Sequence, residues 1–233
     1  GPAESSFLII RGGGAATSTI YDPVLHSVRA GPTISGGAAP NNGTLAFAIP
    51  SGPFDGKYLL LRGNNTATTR VFNPIDISSS LVGPALSGNA GAGAHAFNIT
   101  SGLHSGKVLI VHGNALTTTS LYDPATHTIV AGPVLPAAAG AGAHAFAITS
   151  GAQTGKTMVV HGNASAAASL YDPAAHTFTL SVSTLPANAA VGAFARSIST
   201  GTAGPQSCSI GKRALLVRLN TLPPKRPTTK AER

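Results

Sequence analysis

An apolar run in the middle of the chain ends in His112-Gly113, and the same ending returns as Arg11-Gly12, Arg62-Gly63 and His161-Gly162. Arg218 is a fifth member if a last copy is counted. Cationic or ionisable groups held at one repeated place suit an anion, because a guanidinium offers forked donors to carboxylate, phosphate or sulfate. The competing use is internal, each side chain donating to carbonyls of its own or a neighbouring loop. His95 and His144 are a second recurring pair. Two imidazoles are a beginning of a metal site, but a metal usually takes three or more ligands and no carboxylate stands beside them. They are weak metal candidates, with bracing of a loop as the alternative. After the glycine come Asn64, Asn114 and Asn163, in segments rich in Thr and Ala. Amide and hydroxyl groups there suit the hydroxyls of a sugar, although no aromatic platform accompanies them.

These residues are positioned by a repeat. The aromatic-Asp/Asn-Pro triplet begins at Tyr21, Phe72, Tyr122 and Tyr171, at spacings of 51, 50 and 49 residues. Gly-Lys returns at Gly56, Gly106, Gly155 and Gly211, Gly-Pro at Gly31, Gly83 and Gly132, and a phenylalanine at Phe47, Phe97, Phe146 and Phe194. Several markers on one period define a structural unit. Each unit holds four strand-like runs, here named a to d and typified by AHAFAIT, KTMVVHG, AAASLYD and HTFTL. Runs b and c are apolar on both alternating faces, as strands covered on both sides must be. Gly and Pro are plentiful and charged residues are only 9%, a mixture poor for helices and suited to short strands joined by tight turns.

The order of features resembles the kelch repeat. Gly93-Ala94-His95, Gly106-Lys107, His112-Gly113-Asn114, Tyr122-Asp123-Pro124, Ile129 and Gly132-Pro133 fill its characteristic places, and the likeness runs over roughly residues 5 to 200. Two features depart from it. Asn64, Asn114 and Asn163 replace the second glycine of a doublet, and Ile129 and Phe178 replace the usual tryptophan. The chain is similar to the Ala/Gly/Thr-rich kelch arrays of bacterial surface proteins. The resemblance implies an all-β, kelch-type β-propeller of four-stranded blades of about 49–50 residues, about four blade-equivalents plus a partial one. It also implies that the basic positions form a ring on the face carrying the b–c loops. It implies no activity, since function resides in a site rather than a fold.

Residues 1–2 read as a protease scar, 3–203 as the propeller, and 204–233 as a basic divergent tail or a partial blade. The chain opens at a strand b, SSFLIIRG, so the first blade lacks strand a. Ala193-Phe194-Ala195-Arg196 is one candidate to complete it, and KRALLVRLN at 212–220 reads as a further strand b with nothing after it. Four blades, five with one incomplete, two chains sharing eight, and a fragment of a longer array are the alternatives.

Of the net charge of +8, the first 195 residues carry seven basic and six acidic side chains, and the rest carries eight and one. The body therefore gives no electrostatic reason to bind nucleic acid. No apolar run approaches the ~18 residues of a membrane helix. Asp22, Asp123 and Asp172 sit before prolines as turn formers. No nucleophile elbow or phosphate loop occurs. Some kelch rings are copper oxidases with a Cys–Tyr pair, and here Cys208 lies in the tail while three of the four tyrosines sit in turns. The expectation is a non-catalytic, secreted or cell-surface module without a cofactor, binding a protein or an anionic glycan on its b–c loop face. The alternative is a self-assembling surface protein, a homo-oligomer joined through incomplete terminal blades and their strand edges.

Overall fold

A computed structural model describes residues 7–10, 14–34, 41–74, 78–181, 184–195 and 215–218. Among the described residues sixteen strands form four antiparallel four-stranded sheets. Sheet 1 holds β1 (Phe7–Ile10), β2 (Ser18–Asp22), β3 (Ser27–Ala30) and β16 (Leu215–Arg218). Sheet 2 is β4 (Leu45–Ala48), β5 (Tyr58–Leu61), β6 (Thr69–Asn73) and β7 (Ser78–Val82). Sheet 3 is β8 (His95–Asn98), β9 (Val108–Val111), β10 (Thr119–Asp123) and β11 (Thr128–Ala131). Sheet 4 is β12 (His144–Ala147), β13 (Thr157–Val160), β14 (Ala168–Asp172) and β15 (Thr177–Leu180). The only helical turn among the described residues is a 3₁₀ turn at Gly52–Phe54. No helix there is long and apolar enough to cross a membrane.

The alternation of strand b divides its side chains between two neighbouring sheets. Leu8 and Ile10 of sheet 1 pack with Leu60 and Phe72 of sheet 2. Leu59, Leu61 and Val71 on the opposite side of sheet 2 pack with Val108, Ile110 and Tyr122 of sheet 3. Leu109, Leu121 and Val111 of sheet 3 pack with Tyr171 and Val159 of sheet 4. The core is therefore three layers, each between consecutive sheets. The sequence positions expected to carry tryptophan, Ile129 and Phe178, lie at the edges of these layers.

Two features hold the layers at close spacing. Phe47 of sheet 2 lies on Tyr122 of sheet 3 at 5.8 Å between ring centres, and Phe97 of sheet 3 lies on Tyr171 of sheet 4 at 5.5 Å. The glycine before each strand a, Gly43 and then Gly93, is left-handed, and a Cβ on it would run into the backbone of the next such loop at Gly91 or Gly140. Only glycine lets these loops nest.

The aspartates of the triplets behave as turn formers. Asp123 Oδ1 accepts from the Ala125 amide at 3.0 Å and Asp172 Oδ1 from Ala174 at 2.9 Å. Their other oxygens meet Lys107 Nζ at 2.8 Å and Lys156 Nζ at 3.2 Å, tying the start of strand b to the end of strand c. Those lysines are the first cause that holds both carboxyls below their usual range.

The end of the chain differs from expectation. Ala193–Ala195 carry no strand, and Arg196 lies outside the described residues. The inner place of sheet 1 is taken by β16, which pairs antiparallel with β1 in the register Phe7–Arg218 to Ile10–Leu215. KRALLVRLN thus contains a strand of type a rather than a further strand b. Alternation alone does not say which neighbour a strand pairs with, and the free edge of β1 supplies the partner.

Candidate functional site

In sheets 2, 3 and 4 strand b ends in the basic residue, then glycine, then a tight turn that leads into strand c. Thr66, Leu116 and Ser165 donate their amides to Gly63, Gly113 and Gly162 carbonyls at 3.2, 2.9 and 2.9 Å. The two central residues of these three turns are left-handed: Asn64 and Asn65 at φ 55° and 56°, Asn114 and Ala115 at 57° and 57°, Asn163 and Ala164 at 55° and 54°. This is the type I′ pattern. Asparagine accepts it easily, while alanine does so at a cost of about 1–2 kcal/mol. The tips are solvent-facing, with Asn64, Asn163 and both alanines exposed and Asn114 half-buried. Asn114 Nδ2 donates to Asn65 Oδ1 at 2.7 Å, joining the tip of sheet 3 to that of sheet 2.

Beneath the tips lie the basic residues. Arg62, His112 and His161 are each 0% exposed. His112 Nε2 meets Ser120 Oγ at 2.7 Å and its Nδ1 meets Thr118 Oγ1 at 2.9 Å. Ser120 continues the chain of contacts to Ser87 Oγ, 2.8 Å away, on the segment arriving from sheet 2. His161 repeats the first bond, Nε2 to Ser169 Oγ at 2.7 Å. Burial pushes His112 down to about 4 and lowers His161 as well, a backbone interaction with Ala137 opposing it. Both rings are therefore neutral at pH 7. Arg62 is lowered by burial first and then by the cation of Arg70.

The arrangement is a set of polar pillars under exposed loop tips. Arg62, His112 and His161 occupy equivalent places in three sheets, as the repeat requires, but inside the protein. Arg11 lies outside the described residues, and Arg218 lies in β16 opposite Phe7 rather than at the end of a strand b. His95 and His144 brace their own loops, each Nδ1–H donating at 2.9 Å to the carbonyl of Gly93 or Gly142. Among the described residues no group of three or more metal-ligating side chains comes together.

Sequence reasoning missed the partners Thr118, Ser120 and Ser169. A signal was present: the residue eight places after Arg11, Arg62, His112 and His161 is Thr19, Arg70, Ser120 and Ser169, so each histidine goes with a serine. The same comparison exposes a defect. Ala167 stands in sheet 4 where Thr118 stands in sheet 3, and His161 Nδ1 has no partner of hydrogen-bonding geometry. Ala167→Thr is expected to raise stability by about 1 kcal/mol, the worth of one buried hydrogen bond. The urea midpoint of the variant checks this.

No protein-family model and no curated protein matches the chain. Among solved structures it is similar to a fungal alcohol oxidase of the AA5 family in complex with copper, at 14% identity and a TM-score of 0.49. The likeness covers 69% of this chain and 35% of the oxidase, so the chain spans about a third of that protein's length.

Proposed function

We propose that the chain is a kelch-type β-propeller module, displayed outside the cell or at its surface, that binds a protein or an anionic glycan on its b–c loop face without catalysis. What supports this reading above all is the recurrence of one left-handed tip geometry in three sheets, at exposed positions where nothing in the fold demands alanine in a strained conformation. Strain kept at exposed turns points to a use for their shape. The contact groups are then the amides of Asn64, Asn114 and Asn163. Arg62, His112 and His161 serve as rigid supports, with Arg11 left to supply charge.

Binding to a sulfated glycan at low salt, measured by calorimetry, tests the reading. The triple substitution of Asn64, Asn114 and Asn163 to Asp is expected to weaken binding at least tenfold, by like-charge repulsion. Unchanged affinity removes the loop face from consideration. A separate outcome concerns stability: Ala115→Gly and Ala164→Gly are each expected to raise it by roughly 1 kcal/mol through relief of the left-handed backbone, read from thermal midpoints.

A second reading, chain-to-chain assembly, is favoured by the outer faces of sheets 1 and 4, on which nothing lies among the described residues.

A further inference from the structure

Two of the three layers of the core, between sheets 2 and 3 and between sheets 3 and 4, use one interface twice. Its donor side is a phenylalanine on strand a with apolar residues of strands b and c. Its acceptor side is a triplet aromatic with a residue of strand d. Sheet 4 carries a donor side with nothing on it among the described residues. Phe146 pairs across to Met158 and Met158 to Leu170. These are the counterparts of Phe97, Leu109 and Leu121, yet Phe146 is 40% exposed where Phe97 is half-buried, and Met158 and Leu170 are half-buried where Leu109 and Leu121 are buried. Sheet 1 carries an acceptor side in the same condition. Phe7 pairs with Tyr21, and Tyr21 with Val28. They match Val108, Tyr122 and Ile129, yet Val28 is 65% exposed and Tyr21 half-exposed, whereas Tyr122 is 0% exposed.

The loops repeat the pattern. Gly52 and Gly102 are left-handed and pressed against the carbonyls of Pro124 and Pro173 in the next sheet's turn, while their counterpart Gly151, equally left-handed, has nothing near it. The rings beside them pair as Phe54 on His127 and His104 on His176, each at 4.0 Å, while His26 of sheet 1, which like them bonds its own triplet tyrosine, here at 3.3 Å, has no such ring on it among the described residues. The inner-strand place beside sheet 4 holds no strand at Ala193–Ala195, and sheet 1 brings its own inner strand, β16.

We propose that the outer face of sheet 4 docks on the outer face of sheet 1 of a second copy of this chain, continuing the internal interface from chain to chain. Phe146 then lies on the second copy's Tyr21, and Gly151 fits under its Pro23 carbonyl. This deepens the assembly reading, on which it rests, and names faces rather than strand edges as the contact, because β16 already fills the edge of β1. The contact is heterologous, one face of each kind, so two copies close a ring or many form an open row.

Light scattering on the full chain tests it, with two variants, Phe146→Asp and Tyr21→Asp, whose far-UV circular dichroism is compared with that of the original. The original chain is expected at twice 23.1 kDa or more. Each variant alone is expected to fall to one chain. Mixed in equal amounts they are expected to form a pair and stop there, because one intact face of each kind remains. A single-chain mass of the original chain at every concentration, as when its own segments cover the faces or its ends close on each other, overturns the proposal and the assembly reading together. Association of the original chain that both variants retain overturns the faces and leaves assembly standing. So does a mixture that stays monomeric. If either aspartate variant loses its fold, Val28→Lys and Phe146→Ser take their places at the same two faces.

Discussion

Tyr122→Ala is expected to destabilise the protein by about 3–5 kcal/mol, the cost of removing a fully buried aromatic from a packed core. The ring lies between sheets 2 and 3, under Phe47, and its hydroxyl bonds His127 Nδ1 at 2.9 Å. The loss is a large share of the 5–15 kcal/mol typical of a folded domain. For a chain of this size it corresponds to a drop of roughly 10 °C or more in thermal midpoint. Tyr122→Phe keeps the packing and loses one hydrogen bond, about 1 kcal/mol. Circular dichroism melts of the pair separate the two contributions. Equal midpoints for the two variants would falsify the view that the aromatic body, rather than its hydroxyl, locks the layer.

The second large effect is that of acid. His112 is held near 4 by burial, against 6.5 for an exposed imidazole, and burial also lowers His161, His127 and His176. As pH falls below about 6.5 the unfolded chain takes up protons that the folded chain refuses. Stability is therefore complete above that value and declines towards pH 4, by about 1.4 kcal/mol per pH unit for each histidine that stays neutral. At the interface of sheets 3 and 4 the effect is sharpened, since His176 faces both His104 and the Lys107 cation. Asp123 and Asp172, lowered by their lysines, add a further loss only at lower pH. Urea titrations at pH 7.5, 6, 5 and 4.5 give the slope. His112→Gln, which keeps a hydrogen-bonding group without a titrating one, is expected to flatten it. A midpoint that is constant down to pH 4.5 contradicts neutral buried imidazoles.

The repeat made most of the architecture readable. The triplets at Tyr21, Phe72, Tyr122 and Tyr171 and the Gly-Lys pairs set the ends of strands, and twelve strands of sheets 2 to 4 fall where those markers place them. Two things were not readable, for different reasons. KRALLVRLN has a strand's composition, but pairing is a long-range choice, and only the vacant edge of β1 reveals that Leu215–Arg218 belong to sheet 1. The basic position was visible as a recurrence, but its depth was not. A histidine at the end of an apolar strand looks the same whether it turns out to solvent or in towards a serine. Ser120 and Ser169 decide it, and they lie on the next strand at a distance that period-counting does not weigh. What the repeat could not contain at all is its own interruption, the exposed Phe146 and Val28 at the two ends of the row.

The pairing of β1 with β16 also has a kinetic side. Sheets 2, 3 and 4 are each built from one continuous stretch of chain, so every one of them can form as soon as its own fifty or so residues exist. Sheet 1 joins Phe7 to Arg218, about two hundred residues apart. The entropy of closing so long a loop has to be met before that pairing returns anything. During synthesis sheet 1 is therefore completed after sheets 2 to 4, and the edge of β1 stands open until Leu215–Arg218 have been made.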